Sequence, residues 1–494
     1  MEYLKGILRS FNEGKILHKT ILLFLITTGV FIRLYHYLQN PALWLDEATL
    51  SLNIINRDYT DLLKPLDTLQ VAPIGFLFIE KFLINIFGSS EYILRLLPLL
   101  SGVISIPLFY LLAKKYTDKS IAIIALIFFI LGRSLIYYSL EVKQYSLDVF
   151  VFIFCFLYFL PKEKYKQSFS KSLLYGLIGA IIIWISHISV LVLTAIGLWI
   201  IYLIIKDRSW NNIPTFLVMV GIWFISFAVN YYFFLGGHSH QGLQETAFGS
   251  FSFFPPKPNN SADISWYIDF FAGLFKYPLE IKLSLLAIIL SLLGVIIIIK
   301  NKHYIILALF IPLIINFILA IFLIYPCKER LILYNASATI ILLAYSIYHI
   351  TRFFPYKKLL IILLLLIFLI NPIKLAIGGF PKEEIRKPMQ FIGEKFNEND
   401  LIYVQYGSRW SFEYYRFKYI PEDAEIIKGQ WIRTSPEVFD ITFNEFLERN
   451  RVWLLFSHYT DPEKAIIINK CEQHGILLEK YEIQRAAAYL YSFN

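Results

Sequence analysis

The sequence predicts a polytopic α-helical membrane protein of about eleven spans with a small α/β domain at its C-terminal end. Three observations carry that prediction. Of 494 residues, 57% are hydrophobic and only 17% charged, whereas a soluble globular chain is about 25% charged and 45–50% apolar. Apolar segments of spanning length recur, and basic residues mark every second gap between them. Past residue 377 the chain turns polar and carries short strand-like runs.

A helix needs about 20 apolar residues to cross the hydrocarbon core. Segments 20–38, 93–113, 120–138, 146–160, 173–186, 188–205, 213–234, 283–299, 304–325, 331–350 and 359–377 meet or approach that length. The stretch 173–205 would be about 50 Å long as one straight helix, at 1.5 Å per residue. That is too long for one span, and basic loops flank both ends. Two short helices meeting near His187 satisfy both facts. Segment 21–38 has no small-residue cleavage site after it and reads as a retained first span.

Lys5, Arg9, Lys15 and Lys19 precede the first span. Lys114, Lys115 and Lys119 follow the second, and Lys162, Lys164, Lys166 and Lys171 the fourth. Lys206 and Arg208, Lys300 and Lys302, then Arg352, Lys357 and Lys358 follow the sixth, eighth and tenth. By the positive-inside tendency these loops and the N-terminus are cytoplasmic. Loops 39–92 and 235–281, the turn at Glu141 and the tail 378–494 then face outward. This orientation implies a multi-pass protein of the cytoplasmic membrane. The net charge of +9 fits cationic loops against anionic lipid. No basic motif interleaved with aromatics points to nucleic acid.

Tail runs 400–404, 452–456 and 489–491 read as strands, with a helical pattern over 462–474. Such alternation predicts an α/β domain. Three cysteines, Cys155, Cys327 and Cys471, make no disulfide framework. Cys327 and Cys471 fall on the same side, so their pairing is left open.

The candidate site residues lie on the outer side. Asp46 and Glu47 follow the first span directly. Two adjacent carboxylates at the mouth of a membrane helix are costly to desolvate and point to function. A carboxylate shielded from water has a raised pKa and serves as a general base. Asp46 is the favoured one, since an apolar helix begins at Ala48. Read locally, the same pair suits a helix start, with Asp46 as cap and Glu47 in the first turn. Glu141, Lys143 and Tyr145 form a second knot at a hairpin tip. It can hold a substrate, or a divalent cation together with Asp46, or simply anchor the tip at the interface. Lys328 and Arg330 open a late span on the outer side, where cations are unexpected. Arginine binds phosphate oxygens bidentately and lysine acts as a point charge. His187 lies at an outer tip and either meets substrate or serves as a structural hydrogen-bonder. His238 and His240 form a His-x-His in the long outer loop. Arg33 and Arg95 carry less weight. No zinc spacing, P-loop, GxGxxG or GxSxG motif occurs.

Four segments carry a resemblance. They are Leu43-Trp-Leu-Asp-Glu-Ala48, Tyr138-Ser-Leu-Glu-Val-Lys-Gln-Tyr-Ser146, Ser186-His187 and Lys328-Glu-Arg-Leu-Ile-Leu-Tyr334. Over roughly residues 20–350 the chain resembles the bacterial family-39-type glycosyltransferases of the GT-C class. Protein O-mannosyltransferases and lipid A aminoarabinose transferases are relatives in that class. The resemblance implies a GT-C-like transmembrane catalytic domain over 1–377 and an extracytoplasmic α/β domain over 378–494. It implies a polyprenyl-phosphate-linked sugar as donor at the outer leaflet, inverting transfer, and no nucleotide sugar at the site. Asp46 matches the catalytic acidic residue of the first outer loop and Glu141 the second acidic position. Lys328 and Arg330 fall near the cations that hold the lipid phosphate. Beside these, the reading of the residues themselves offers Glu47, Lys143, Tyr145 and His187 as candidate substrate-binding residues. Many relatives carry Glu-x-Arg where this chain has Glu141-Val-Lys143, so the bidentate fork is lost there. Family members differ in metal requirement, which leaves a divalent cation open and assigns no metal ligand. Lipid, glycan and protein acceptors are all compatible with an open outer cavity.

Two other classes share this composition. A transporter would show internal repeats and polar residues at mid-bilayer; here no repeat is found and charges cluster at one face. An O-antigen polymerase or ligase also uses lipid-linked sugars, and an arginine-rich outer loop would favour it. Residues 235–281 contain no arginine.

Overall fold

A computed structural model describes residues 2–235, 253–433 and 437–493. His238 and His240 lie outside the described residues. The first span is the end of α1 (Glu2–Gln39). The segment that follows forms α2 (Leu45–Asn56) and α3 (Ile74–Phe87). Spans continue with α4 (Leu96–Tyr116), α5 (Lys119–Leu131), α6 (Tyr145–Tyr158), α7 (Phe169–Ile185), α8 (Ser189–Lys206) and α9 (Ile213–Asn230). After the undescribed stretch come α10 (Ser261–Leu279), α11 (Ser284–Lys300), α12 (Ile311–Ile321), α13 (Ala336–Thr351) and α14 (Lys357–Gly378).

Each expected span coincides with a helix, but they are not equal. Among the described residues seven helices are long and apolar enough to cross a membrane, or up to nine if each of two bent pairs is one span. Helices α6 and α7 are shorter, at 14 and 17 residues. The third span bends by 60° at Gly132, between α5 and Arg133–Leu140. The hairpin of α7 and α8 turns at His187, as the length argument requires.

One correction concerns 235–281, read above as a loop. Residues Ser261–Leu279 are a helix, bent 104° from α11. Asn260 and Asp263 form a capping box at its start. That Asn-x-x-Asp spacing was visible, but it is an atypical form of the usual Ser/Thr-x-x-Glu signature.

One cavity shows which loops share an end of the bundle. Residues from 116–118, 162–164, 202–207, 301–305 and 349–352 line it together. These are the gaps rich in lysine and arginine, so the expected alternation of loops holds.

The tail adds α15 (Arg386–Lys395), α16 (Arg409–Tyr419), α17 (Val438–Leu447) and α18 (Asp461–His474) around a five-stranded sheet. Its strands are β1 (Leu401–Val404), β2 (Glu425–Lys428), β3 (Arg451–Ser457), β4 (Ile476–Ile483) and β5 (Ala486–Ser492), in the order β2-β1-β3-β5-β4. β1 is parallel to β2 and β3, while β5 runs antiparallel to β3 and β4. The pleat sends alternate residues to opposite faces. Leu401, Tyr403, Val452 and Leu454 pack with Phe439, Phe443 and Ile467 on one side. Ile402, Val404, Trp453 and Leu455 pack with Phe412 and Met389 on the other, in a core that continues into Ala48, Leu50 and Phe76 of the outer helices. The tail is thereby seated on α2 and α3.

A buried charge cluster fixes that seat. Arg95 grips Glu47 with two bonds, Nε to Oε1 at 2.9 Å and Nη2 to Oε2 at 2.8 Å. Lys382, from the tail, donates to Glu47 Oε2 at 2.9 Å and lies 3.1 Å from Glu141 Oε1. The Val142 amide donates to Glu47 as well. Two cations therefore balance two carboxylates, and Glu47 and Glu141 are 0% and 1% exposed. Burial disfavours the Glu47 anion, but Arg95 and Lys382 hold its pKa below the ordinary glutamate value.

Cys155, Cys327 and Cys471 are all free and buried. Cys327 belongs to the helix-bundle core and Cys471 to the far face of the sheet, so the two do not pair. Denatured protein alkylated without reductant is expected to carry labels on all three cysteines; one label by mass spectrometry would contradict the structure. Glu47→Gln strands two buried cations and is expected to cost on the order of 3–5 kcal/mol, read as a lower melting temperature in detergent. Asp46→Asn, one residue away, should leave the melting temperature within a few degrees. A carboxylate with a depressed folded-state pKa stabilises above the unfolded value and loses that contribution as pH falls through the folded one. The acid-side loss of stability should therefore be shallower in Glu47→Gln than in the wild type.

Candidate active site

The N-cap of α2 is Trp44, and it makes no side-chain cap bond. Asp46 and Glu47 both lie in the first turn. Asp46 is thus not the cap. Adjacent residues on a helix point about 100° apart, and these two carboxylates part company accordingly. Glu47 turns inward to Arg95 and Lys382. Asp46 turns to Arg330, whose Nη1 donates to Oδ2 at 2.9 Å across 284 positions of sequence. Asp46 is 18% exposed and Arg330 31%, so this pair, unlike the Glu47 cluster, is open to a ligand.

The expectation of a raised Asp46 pKa is corrected. Burial does push it up, but Lys143, Arg330 with its hydrogen bond, and His458 together hold it below the ordinary aspartate value. Asp46 is an anion throughout the neutral range.

Lys143 is buried and donates from Nζ to Gln70 Oε1 at 2.7 Å. Burial lowers its pKa, with Asp46 opposing and Arg330 reinforcing that shift. The Arg330 guanidinium lies 5.9 Å from the centre of the Tyr145 ring. Tyr145 meets Tyr138 edge to face at 5.0 Å, and the Tyr138 hydroxyl pairs with that of Tyr277 at 2.6 Å. Lys328 is half-buried and, among the described residues, its ammonium has no partner.

Glu141 lies deeper. Its Oε1 accepts from Trp44 Nε1 at 2.8 Å, and Lys382 stands beside it. Burial raises its pKa; Lys382 opposes and Glu47 reinforces the rise. His187 lines a recess of about 50 Å³ with Gln70 and Asn230. Gln70 is the residue that holds Lys143, so His187 belongs to the periphery of the same site. Burial pushes its ring down to about 4, leaving it neutral. Arg33 stays inside the bundle, donating to the Gly29 carbonyl at 3.1 Å. Among the described residues no three His, Cys, Asp or Glu side chains converge as a metal's ligands would.

The tail supplies groups that sequence reasoning passed over. His458 follows β3 at a left-handed φ of 52°, a conformation that costs a non-glycine residue about 1–2 kcal/mol. Its Nδ1 bonds Glu383 Oε1 at 2.8 Å. Its ring lies 5.8 Å from that of Trp44, two residues before Asp46. Lys382 and Glu383 are adjacent, so one dipeptide serves both the buried cluster and His458. The signal available was the Lys-Glu pair at the exit of the last span. A groove of about 740 Å³ runs between α2 and α16. It includes Thr49 and Asn53, which share the face of α2 that carries Asp46, since they follow it by three and seven residues. From α16 it takes Trp410, Glu413, Tyr414 and Phe417.

Residues 71–233 match the family model of dolichyl-phosphate-mannose-protein mannosyltransferase. The fold is similar to that of ArnT from Cupriavidus metallidurans bound to undecaprenyl phosphate, with a TM-score of 0.54 and 10% identity over 97% of this chain and 98% of that one. It is also similar to the Archaeoglobus fulgidus oligosaccharyltransferase in complex with Zn and sulfate, with a TM-score of 0.50 and 12% identity over 96% of this chain and 73% of that one. A search of curated proteins returned no match. The chain thus carries a mannosyltransferase-type segment over residues 71–233 within a membrane-helix fold similar to that of ArnT.

Proposed function

We propose that this chain transfers a sugar from a polyprenyl-phosphate-linked donor to an acceptor at the outer membrane face, with inversion and with Asp46 as general base. The observation that carries the reading is the Asp46–Arg330 pair, a ligand-accessible carboxylate and guanidinium joined at 2.9 Å. The donor class is supported by the undecaprenyl phosphate bound in the structurally similar ArnT and by the family match.

The chemistry needs two charges of opposite sign at one point. The bond between the anomeric carbon and the phosphate oxygen breaks, and its electron pair leaves on the phosphate. Arg330 uses one N–H on Asp46. A guanidinium has five N–H donors, so others are free for phosphate oxygens. Lys328 adds a second, unpaired cation from the same segment. These cations stabilise the leaving group as its charge develops. Asp46 takes the proton of the acceptor O–H or N–H as that atom attacks the opposite face of the sugar. A depressed pKa makes Asp46 a weak proton acceptor. His458, held by Glu383, gives the proton a further destination. Lys143 sustains the Asp46 anion, Tyr145 backs Arg330, and His187 borders the site through Gln70. Glu47 and Glu141 belong to the buried cluster that sets the position of Asp46. The groove between α2 and α16, lined by Thr49 and Asn53 on the turns after Asp46, offers the acceptor an approach, whether it is a lipid, a glycan or a protein.

The test is sugar transfer in membranes supplied with a mixed pool of polyprenyl-phosphate sugars. Asp46→Asn is expected to lose on the order of 10²–10⁴-fold in rate with folded protein retained, and His458→Gln a smaller factor. Equal transfer by Asp46→Asn would overturn the base assignment. No transfer by the wild type from any such donor would overturn the donor class.

A further inference from the structure

At the end of the bundle opposite Asp46 lies a second polar cavity, of about 930 Å³. Helix α4 measures the separation. It begins beside Arg95 of the buried cluster and ends at Tyr116, which lines the cavity. Its 21 residues span about 30 Å at 1.5 Å per residue, one hydrocarbon thickness.

The cavity has a built floor. Tyr345 is 1% exposed, and its hydroxyl bonds Asn301 Nδ2 at 3.2 Å and His303 Nδ1 at 3.0 Å. His349 packs its ring against Tyr345 at 4.2 Å. Five cations from four separate loops form the rim: Lys162, Lys164, Lys206, Lys302 and Arg352. Among the described residues none of them has a carboxylate within ion-pair distance. Asp118, Glu163 and Asp207 share the rim, so five positive charges face three negative ones. Lys206 and Arg352 lie over the Tyr202 and Tyr348 rings instead.

An apolar track leads away from this rim. On α8, Leu198, Ile201, Tyr202 and Ile205 are 48%, 40%, 43% and 57% exposed. Their spacing of three, one and three residues puts them on one face. Tyr202 and Trp199 stand where the track meets the cavity, as aromatic residues do at a membrane interface. A phosphate group seated among the rim cations would place an attached acyl chain along this track.

We propose that this cavity binds the phosphate headgroup of an anionic phospholipid, with the acyl chain lying on the exposed face of α8. The ligand chemistry follows from the parts: unpaired cations for phosphate oxygens, hydroxyl, amide and imidazole groups at the floor for a polar headgroup, and an apolar face for the tail. Basic pockets between membrane helices recognise lipid headgroups in this way. The site stands apart from the sugar-transfer chemistry and does not depend on it.

The test uses the full chain in nanodiscs of phosphatidylcholine doped with phosphatidylglycerol, with lipids retained on the protein counted by native mass spectrometry. The wild type should retain phosphatidylglycerol in preference to phosphatidylcholine. Each cation near an anionic headgroup is worth roughly fivefold in affinity, so Lys164→Ala/Lys302→Ala/Arg352→Ala is expected to lower retention by at least about tenfold. These side chains are exposed, so the fold should persist, and a matching melting temperature checks that. Sugar transfer by the variant should equal that of the wild type. Equal retention of the two lipids, or unchanged retention by the variant, would overturn the proposal. Displacement of phosphatidylglycerol by millimolar inorganic phosphate would overturn the lipid assignment too, because a headgroup anchored by its acyl chain should not yield to the free anion.

Discussion

The half of the molecule around Asp46 depends on one buried interaction, the grip of Arg95 and Lys382 on Glu47. An isolated carboxylate with no exposed surface would be prohibitively costly. Here the Glu47 carboxylate accepts four hydrogen bonds from three parts of the chain: the start of α4, the hairpin tip at Val142 and the first residues of the tail. The cluster pins α2 in rotation. With Glu47 locked inward, the next carboxylate along the helix must project toward Arg330. Two adjacent acids thus part, one holding the helix and the other left partly exposed beside Arg330.

The same cluster explains why the tail matters to the site. Lys382 enters it directly, and its neighbour Glu383 holds His458. The near face of the sheet shares its apolar core with α2 and α3. Tyr415 of α16 donates to Glu91 at 3.0 Å and accepts from the Leu43 amide at 2.9 Å. The tail domain therefore packs directly against the helix that carries Asp46. Electrostatics follow from this geometry. Lys143 and Arg330, brought from two distant segments, sustain the negative charge of Asp46.

The helical framework was legible because membrane spans announce themselves by length and by the charge of their flanks. The break at His187 was legible for a related reason, since a 33-residue apolar stretch cannot cross once. Other features were missed. The bend at Gly132 was marked by the Gly132-Arg133-Ser134 break in the run 120–138, but total length alone let that run read as one straight span. The helix over Ser261–Leu279 hid because Asp263, Asp269, Lys276 and Pro278 interrupt its apolar residues. In the tail, β1, β3 and β5 read as apolar runs because both faces of those strands are covered. β2 and β4 are edge strands with mixed exposure, and they left no such trace. At the site, Asp46 and Arg330 were both singled out, but their contact spans most of the chain. The roles of Glu47 and Asp46 could not be separated from sequence, because helix rotation is set by Arg95 and Lys382. His458 was missed because its neighbourhood is created only when the tail folds back.

The most direct test of this account is a cryo-electron microscopy structure of the chain in nanodiscs with undecaprenyl phosphate. The account predicts the phosphate on the guanidinium of Arg330, with Lys328 turned toward it and the Asp46 carboxylate free on the side facing the α2–α16 groove. A phosphate seated elsewhere, with the Asp46–Arg330 pair untouched, would contradict it.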